Sequence, residues 1–234
     1  MRNSLGGFLS AAGAELRCRG CLGPLSGGSE AGLCGPCWEG LRPLAGGRCP
    51  RCALVHGDPE ACPEAVSWAF GDALWDYHGG RPPLGALLVP AIKSGEGGWR
   101  RAVLDRAAKA SLPAWAVDCD AVVAIPTLRW RRWLRGFDLA EEWAALVAGR
   151  LDLPRVDALA KHWRSPTQTG RSESRRRALP SRSFRLRPGA PVAGRTLLLV
   201  DDVWTTGTTL LRCARRLREG GAAEVRVLTL FRAT

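Results

Sequence analysis

Residues 197–209 read Leu-Leu-Leu-Val-Asp-Asp-Val-Trp-Thr-Thr-Gly-Thr-Thr, and no other stretch limits the chain's architecture as tightly. Leu197 to Val200 form an apolar run of buried-strand type that ends on two carboxylates, Asp201 and Asp202. A hydroxyl-rich turn follows, and then Leu210, Ala214 and Leu217 recur at helical spacing. The free N–H groups at a helix start attract phosphate, and Thr205, Thr206, Thr208 and Thr209 add hydroxyl donors. Gly207 lets the backbone approach an anion without a Cβ in the way. Two adjacent carboxylates repel by roughly 2–3 kcal/mol at about 6 Å and an effective dielectric of about 20. A strand ending in them has a ligand to explain the cost, and sugar hydroxyls or a sugar-bound Mg²⁺ suit the pair. A P-loop needs a Lys just before its Ser/Thr, which this turn lacks, so ATP hydrolysis fits poorly.

Strands alternate with helices along most of the chain. Val66 to Tyr77 reads as a strand or hairpin, Pro82-Pro83 opens a helix through Ile92, and Trp99 to Ala110 is a second helix. Ala121 to Ile125 is a buried strand stopped by Pro126, and Phe137 to Leu151 an amphipathic helix. Residues 161–183 are polar, Arg- and Ser-rich and without hydrophobic period, the mark of a long and mobile loop. Leu197 to Val200, a helix from Thr208 to Glu219 and a last strand from Val225 to Leu230 complete the pattern. The alternation predicts an α/β fold, a parallel sheet with helices on both faces and ligands at the carboxyl ends of the strands.

Ahead of this lies a cysteine-rich head. Seven of nine cysteines fall between positions 18 and 62. Cys18-x2-Cys21 and Cys34-x2-Cys37 have zinc-ribbon spacing, and together they supply the four thiolates of a tetrahedral ion. Cys49-x2-Cys52 with Cys62 gives three more, with His56 the nearest candidate for a fourth ligand in place of a degenerate site. Residues 15–65 carry much Gly and Pro and few large apolar side chains, so structural zinc rather than a core must hold them. Disulfides would need an oxidising compartment, and no export signal argues for one. Cys119 and Cys213 read as small core residues. The predicted organisation is a cysteine-rich double zinc ribbon over 1–65 and an α/β domain over 66–234.

The net charge is +12, and residues 129–187, with 14 Arg and one Lys against six acids, hold +9 of it. Such a surface suits polyanions, whether phosphorylated metabolites or nucleic acid, or is simply a solvated Arg-rich face. No run of 18 apolar residues predicts a membrane span. Met1 to Ala14 reads as a short helix and not a signal peptide, which makes a cytoplasmic location the expectation.

The stretch 197–209 resembles the loop of type I phosphoribosyltransferases that binds 5-phosphoribosyl pyrophosphate (PRPP). Paired Cys-x2-Cys turns followed by such a domain resemble the ComF family, including its GntX-like members. The resemblance covers nearly the full chain, taking in Lys93, Ile125-Pro126 through Arg135-Gly136-Phe137, Thr167-Gln168 and Phe184. The chain departs from the family at Asp138 and Leu179, where Asn is usual, and at Arg175 beside Arg176.

The resemblance implies that Thr205–Thr209 holds a 5′-phosphate while Asp201 and Asp202 hold the ribose hydroxyls. Lys93, Arg131 and Arg135 approach the pyrophosphate, or are ordinary surface charge. A loop carrying Gln168, Arg171 and Arg176 closes over the site, and Mg²⁺ enters with PRPP. Thr205 stands where hypoxanthine-guanine relatives carry an acid, which counts against that activity, and the length leaves no room for a glutaminase segment. The implied roles are a phosphoribosyltransferase of undetermined acceptor, a factor for single-stranded DNA working with DNA-uptake proteins, or a PRPP-binding regulator. Trp130 and Trp133 among Arg129, Arg131, Arg132 and Arg135 are either stacking planes for single strands or packing residues.

Overall fold

The computed structural model describes residues 16–25, 29–44, 46–56, 62, 66–95, 98–161 and 183–233. The expected helix over Met1–Ala14 and the expected loop residues Gln168, Arg171 and Arg176 lie outside them.

Four parallel strands form the main sheet: β1 (Phe70–Asp76), β2 (Ala121–Ala124), β5 (Thr196–Trp204) and β6 (Glu224–Arg232), in spatial order β1-β6-β5-β2. Side chains alternate between the faces of a strand. Leu198, Val200, Leu228 and Leu230 pack on one face with α2 (Leu84–Ser94), α3 (Trp99–Lys109) and α5 (Leu139–Leu151). Leu197, Leu199, Val225 and Val227 pack on the other with α6 (Thr208–Glu219). Burial on both faces is why Leu197 to Val200 are apolar without interruption. At about 1.5–3 kcal/mol per buried side chain, those four residues alone contribute roughly 6–12 kcal/mol before entropy is counted. A short antiparallel pair, β3 (Leu159–Lys161) with β4 (Phe184–Leu186), packs against the α6 side through Leu159 and Phe184.

The structure moves several expected boundaries. β5 does not stop at the carboxylates: its ladder to β6 continues through Asp201↔Thr229 to Trp204↔Arg232, because Trp204 is itself buried. β6 likewise extends to Arg232. The 66–77 segment is one strand, not a hairpin, since it pairs in parallel with β6. Pro83 caps α2 instead of starting it, and α5 begins at Leu139, leaving Phe137 in the preceding turn.

The cysteine-rich residues contribute a short helix, α1 (Gly35–Glu39), and otherwise turns. They do not stand apart. Cys18, Leu33, Cys37 and Trp38 join the apolar cluster of α2 and α3, whereas Cys49, Cys52 and Ala53 join the cluster of α6. Residues 42–44 lie along the outer edge of β1, with Asp76 N–H donating to the Arg42 carbonyl at 3.0 Å. Cys119 and Cys213 are buried, as expected of core residues.

Candidate functional site

At the carboxyl ends of β2 and β5 lies an open cavity of about 340 Å³. Asp201, Asp202, Thr205 and Thr209 form one wall, Lys93 and Arg135 reach in from α2 and α4 (Arg129–Arg135), and Ile125 to Leu128 form the opposite rim. Gly207 sits at φ 69° as the N-cap of α6, a left-handed conformation that favours glycine. No side chain caps that helix, so its first N–H groups remain available to an anion. The hydroxyls of Thr206 and Thr208 face each other at 3.0 Å beside them.

The acidic pair is asymmetric. Asp201 accepts the Asp202 backbone N–H at 2.9 Å, while Asp202 forms an ion pair with Lys93 at 2.7 Å. Burial, and then the Asp202 charge, push the Asp201 carboxyl well above the ordinary carboxylate range. Burial opposes the Lys93 charge, but Asp202 and then Asp201 outweigh it and hold the ammonium above its usual value. The corner therefore carries two carboxylates on one cation, with the more buried acid favouring a proton. A ligand bearing hydroxyl donors or a divalent ion relieves that imbalance.

Lys93 is placed by the last turn of α2, closed by Gly95 in the left-handed region. The start of α2 is set by a close approach: a Cβ on Gly85 would stand 2.6 Å from the Tyr77 backbone. Arg135 ends α4 just before Gly136, and Arg131 lies on the same helix, its side chain outside the described residues. Tyr77, Asp138 and Lys161 also line the cavity. The sequence marks Asp138 only as a departure from the family after Arg135-Gly136-Phe137, and Tyr77 and Lys161 follow or end strands where no local motif marks them. One signal existed for Lys161, which closes an apolar run, Val156 to Ala160, interrupted only by Asp157.

Away from the cavity, the cysteines gather into two sets, Cys18–Cys21–Cys34–Cys37 and Cys49–Cys52–His56–Cys62, with the donor atoms of each within 4.8 Å of one another. In the first, Sγ atoms of Cys18 and Cys37 are 3.6 Å apart and those of Cys21 and Cys34 3.7 Å. A tetrahedral ion with Zn–S bonds of about 2.3 Å sets ligand atoms about 3.8 Å apart, so the donors fit. In the second, His56 Nε2 lies 3.3 Å from Cys52 Sγ. Burial works against the Cys18 thiolate, yet the N–H groups of Cys21, Cys34 and Gly20 bring the thiol down to about 6. Cys49 behaves alike, with burial outweighed by the N–H groups of Arg51 and Cys52 and the thiol at about 7. Burial and the neighbouring thiols push Cys52 up to about 12 and Cys37 higher still. Four crowded sulfurs that resist joint ionisation are what a divalent cation stabilises. These clusters can hold a metal such as zinc.

Residues 138–234 match the model of the phosphoribosyl transferase domain. The chain is 30% identical over 221 residues to the DNA utilization protein YhgH of Salmonella typhi, covering 87% of this chain and 92% of that one. It is 33% identical over 116 residues to competence protein F of Haemophilus influenzae, 49% of this chain and 51% of the relative. Among solved structures it is similar to the glutamine PRPP amidotransferase from B. subtilis, with 25% identity, 59% of this chain, 26% of that one and a TM-score of 0.38. It is also similar to the purine phosphoribosyltransferase from Pyrococcus horikoshii, with 16% identity, 56% and 82% coverage and a TM-score of 0.34. Among the described residues no helix is long and apolar enough to cross a membrane.

Proposed function

The chain belongs to the ComF family, with a phosphoribosyltransferase-type domain, and from that we propose that it binds PRPP as its Mg²⁺ complex and serves DNA uptake or utilisation in the cytoplasm. The observation that carries this reading is the half-buried Asp201–Asp202 pair beside the uncapped start of α6, both opening onto one cavity. In this reading the Thr205–Thr209 turn takes the 5′-phosphate through backbone N–H groups and threonine hydroxyls. The ribose hydroxyls donate to Asp201 and Asp202 and replace Lys93 as the partner of Asp202. Lys93 is then free to join Arg135, and Arg131 on the same helix, in facing the pyrophosphate. Structural zinc at the two cysteine sets holds the head.

Turnover would transfer the phosphoribosyl group. An acceptor lone pair forms the new bond at the anomeric carbon as the bond to pyrophosphate breaks, and the leaving group carries away the electron pair. The developing positive charge on the sugar lies near the carboxylates, which favours that state over the ground state. Thr205 offers no carboxylate to handle a purine ring, so the acceptor differs from that of purine salvage.

Calorimetry with Mg²⁺ and PRPP tests the reading. Asp201→Asn with Asp202→Asn is expected to weaken binding by roughly a hundredfold or more, at about 1.5–3 kcal/mol per charge-assisted hydrogen bond, without altering the zinc content. Unchanged affinity overturns the site. A screen for pyrophosphate release over bases, amines and single-stranded DNA identifies the acceptor.

A second reading, single-stranded DNA binding, is favoured by one observation. Trp133 is 85% exposed and Trp130 44% exposed on α4, among Arg132 and Arg135 and beside the cavity. Exposed indoles interleaved with cations suit unstacked bases. A steep fall of log K with log salt is expected, and a flat response removes this reading.

A further inference from the structure

Arg232 closes β6 with its side chain only 2% exposed. Its guanidinium bridges three stretches of backbone. Nε donates to the Cys52 carbonyl at 3.1 Å, and Nη1 donates to the carbonyls of Trp204 at 3.1 Å, of Thr205, and of Ala233 at 2.8 Å. The same group lies 4.5 Å from the centre of the Trp204 ring. Cys52 belongs to the second cysteine set, and Thr205 opens the turn at the head of α6. One buried cation thus spans a candidate metal ligand and the first residue of the candidate phosphate turn.

The rest of the Cys49–Cys52 turn is seated on the same spot. Trp68 Nε1 donates to the Arg51 carbonyl at 2.6 Å, and Gly71 N–H donates to the Pro50 carbonyl at 2.8 Å. Trp68 meets Trp204 edge to face at 5.3 Å. Gly71 admits this seating, since a Cβ there would stand 2.7 Å from the Arg51 carbonyl and 2.9 Å from the Trp204 ring. Among the described residues the first set shows no such connection: Cys18 and Cys37 pack with Leu33 and Trp38 in the cluster on the other face of the sheet.

We propose that Arg232 is a positioning residue that couples metal occupancy of the Cys49–Cys52–His56–Cys62 set to the shape of the Thr205–Thr209 turn. Loss of the second metal lets the Cys52 carbonyl drift, withdraws one of the partners that orient the guanidinium, and releases the Thr205 carbonyl. Phosphate-ester binding then depends on the second metal and not on the first. The last statement rests on the proposed PRPP site, whereas the coupling itself does not.

Amide hydrogen exchange over residues 204–211 of the full zinc-loaded chain tests the coupling. His56→Ala, once its zinc content has fallen by one, is expected to raise exchange in this turn about tenfold. His56→Cys, which restores a fourth ligand, is expected to return it to the original level. Arg232→Met is expected to loosen the turn with both metals retained, while Cys21→Ser, which empties the first set, is not. A turn equally protected in His56→Ala, or loosened as much by Cys21→Ser, overturns the proposal. If His56→Ala fails to fold, Arg232→Met decides alone, and an unchanged turn there overturns it.

Coupling between sites is reciprocal. PRPP with Mg²⁺ is therefore expected to slow zinc release from the second set to a chelator, and to lose that effect in Arg232→Met. PRPP that does not bind the unaltered chain defeats the functional reading, and the exchange comparison still decides the coupling.

Discussion

The two cysteine sets present similar ligands to opposite faces of one sheet and have different neighbours. In the first set Cys18 and Cys37 are buried in the cluster of Leu33, Trp38, Leu84 and Trp99, and so share in the packing of α2 and α3, while Cys34 is half-buried and Cys21 exposed. In the second, Cys49 and Cys52 are equally buried and His56 and Cys62 half-buried, but the neighbours are Trp204 and Arg232 at the end of the strands. Where a set's neighbours are core packing alone, a metal holds the fold. Where the neighbours include the partners of the candidate phosphate turn, a metal can also set the geometry of that turn.

The largest effect that could break this contrast comes from the first set. Cys37→Ser is expected to cost several kcal/mol, against about 10–16 kcal/mol for structural zinc in isolated finger peptides, and to lower the melting temperature far more than Cys62→Ser. Zinc content and thermal denaturation check both, and equal losses would erase the distinction. Next come two glycines that admit the close approaches. Gly20→Ala would place a Cβ 2.9 Å from Cys37 Sγ, and Gly71→Ala would crowd Arg51 and Trp204. Each is expected to cost about 1–3 kcal/mol by overpacking, but only Gly71→Ala should also weaken PRPP binding, as calorimetry would show.

A subtler test concerns the acidic corner. Because folding raises the Asp201 pKa, the folded state holds a proton that the unfolded chain gives up from about pH 4 upward. Stability therefore falls as pH rises through that window toward the folded value. Asp201→Asn is expected to melt higher than the unaltered chain at pH 7, with the gap closing toward pH 4, while ligand binding is lost. Melting curves over pH 4–8 measure it, and a gap that does not depend on pH would contradict the burial of this acid. The smallest effect is that of Trp133→Ser, within about 0.5 kcal/mol of unaltered stability because the ring is in solvent.

Contiguous chemistry was legible in the sequence: the apolar run, the acids, Thr205 to Thr209 and the helix spacing of Leu210, Ala214 and Leu217 all sit within one short segment. Cys-x2-Cys pairs were legible for the same reason. Tyr77, Lys161 and the site role of Asp138 were not, because they lie at the ends of β1, β3 and α5, far apart in the sequence, and only the fold brings those ends to one cavity. β5 runs past its expected end because β6 keeps pairing beyond the carboxylates, which more often mark a strand's exit to water. Arg232 carried a signal that composition obscures among so many arginines: it closes Val227 to Phe231, a run broken only by Thr229.

The strand order has a consequence for how this chain comes off the ribosome. Among the described strands, β1 reaches the rest of the sheet only through β6, which is made last of the four. At 5–20 residues per second, the interval between Asp76 and Glu224 is roughly seven to thirty seconds. Throughout that interval Trp75 and its neighbours lack the β6 partner of one hydrogen-bonding edge. Chaperone supply and translation speed, more than equilibrium stability, should therefore govern how much active protein a cell recovers.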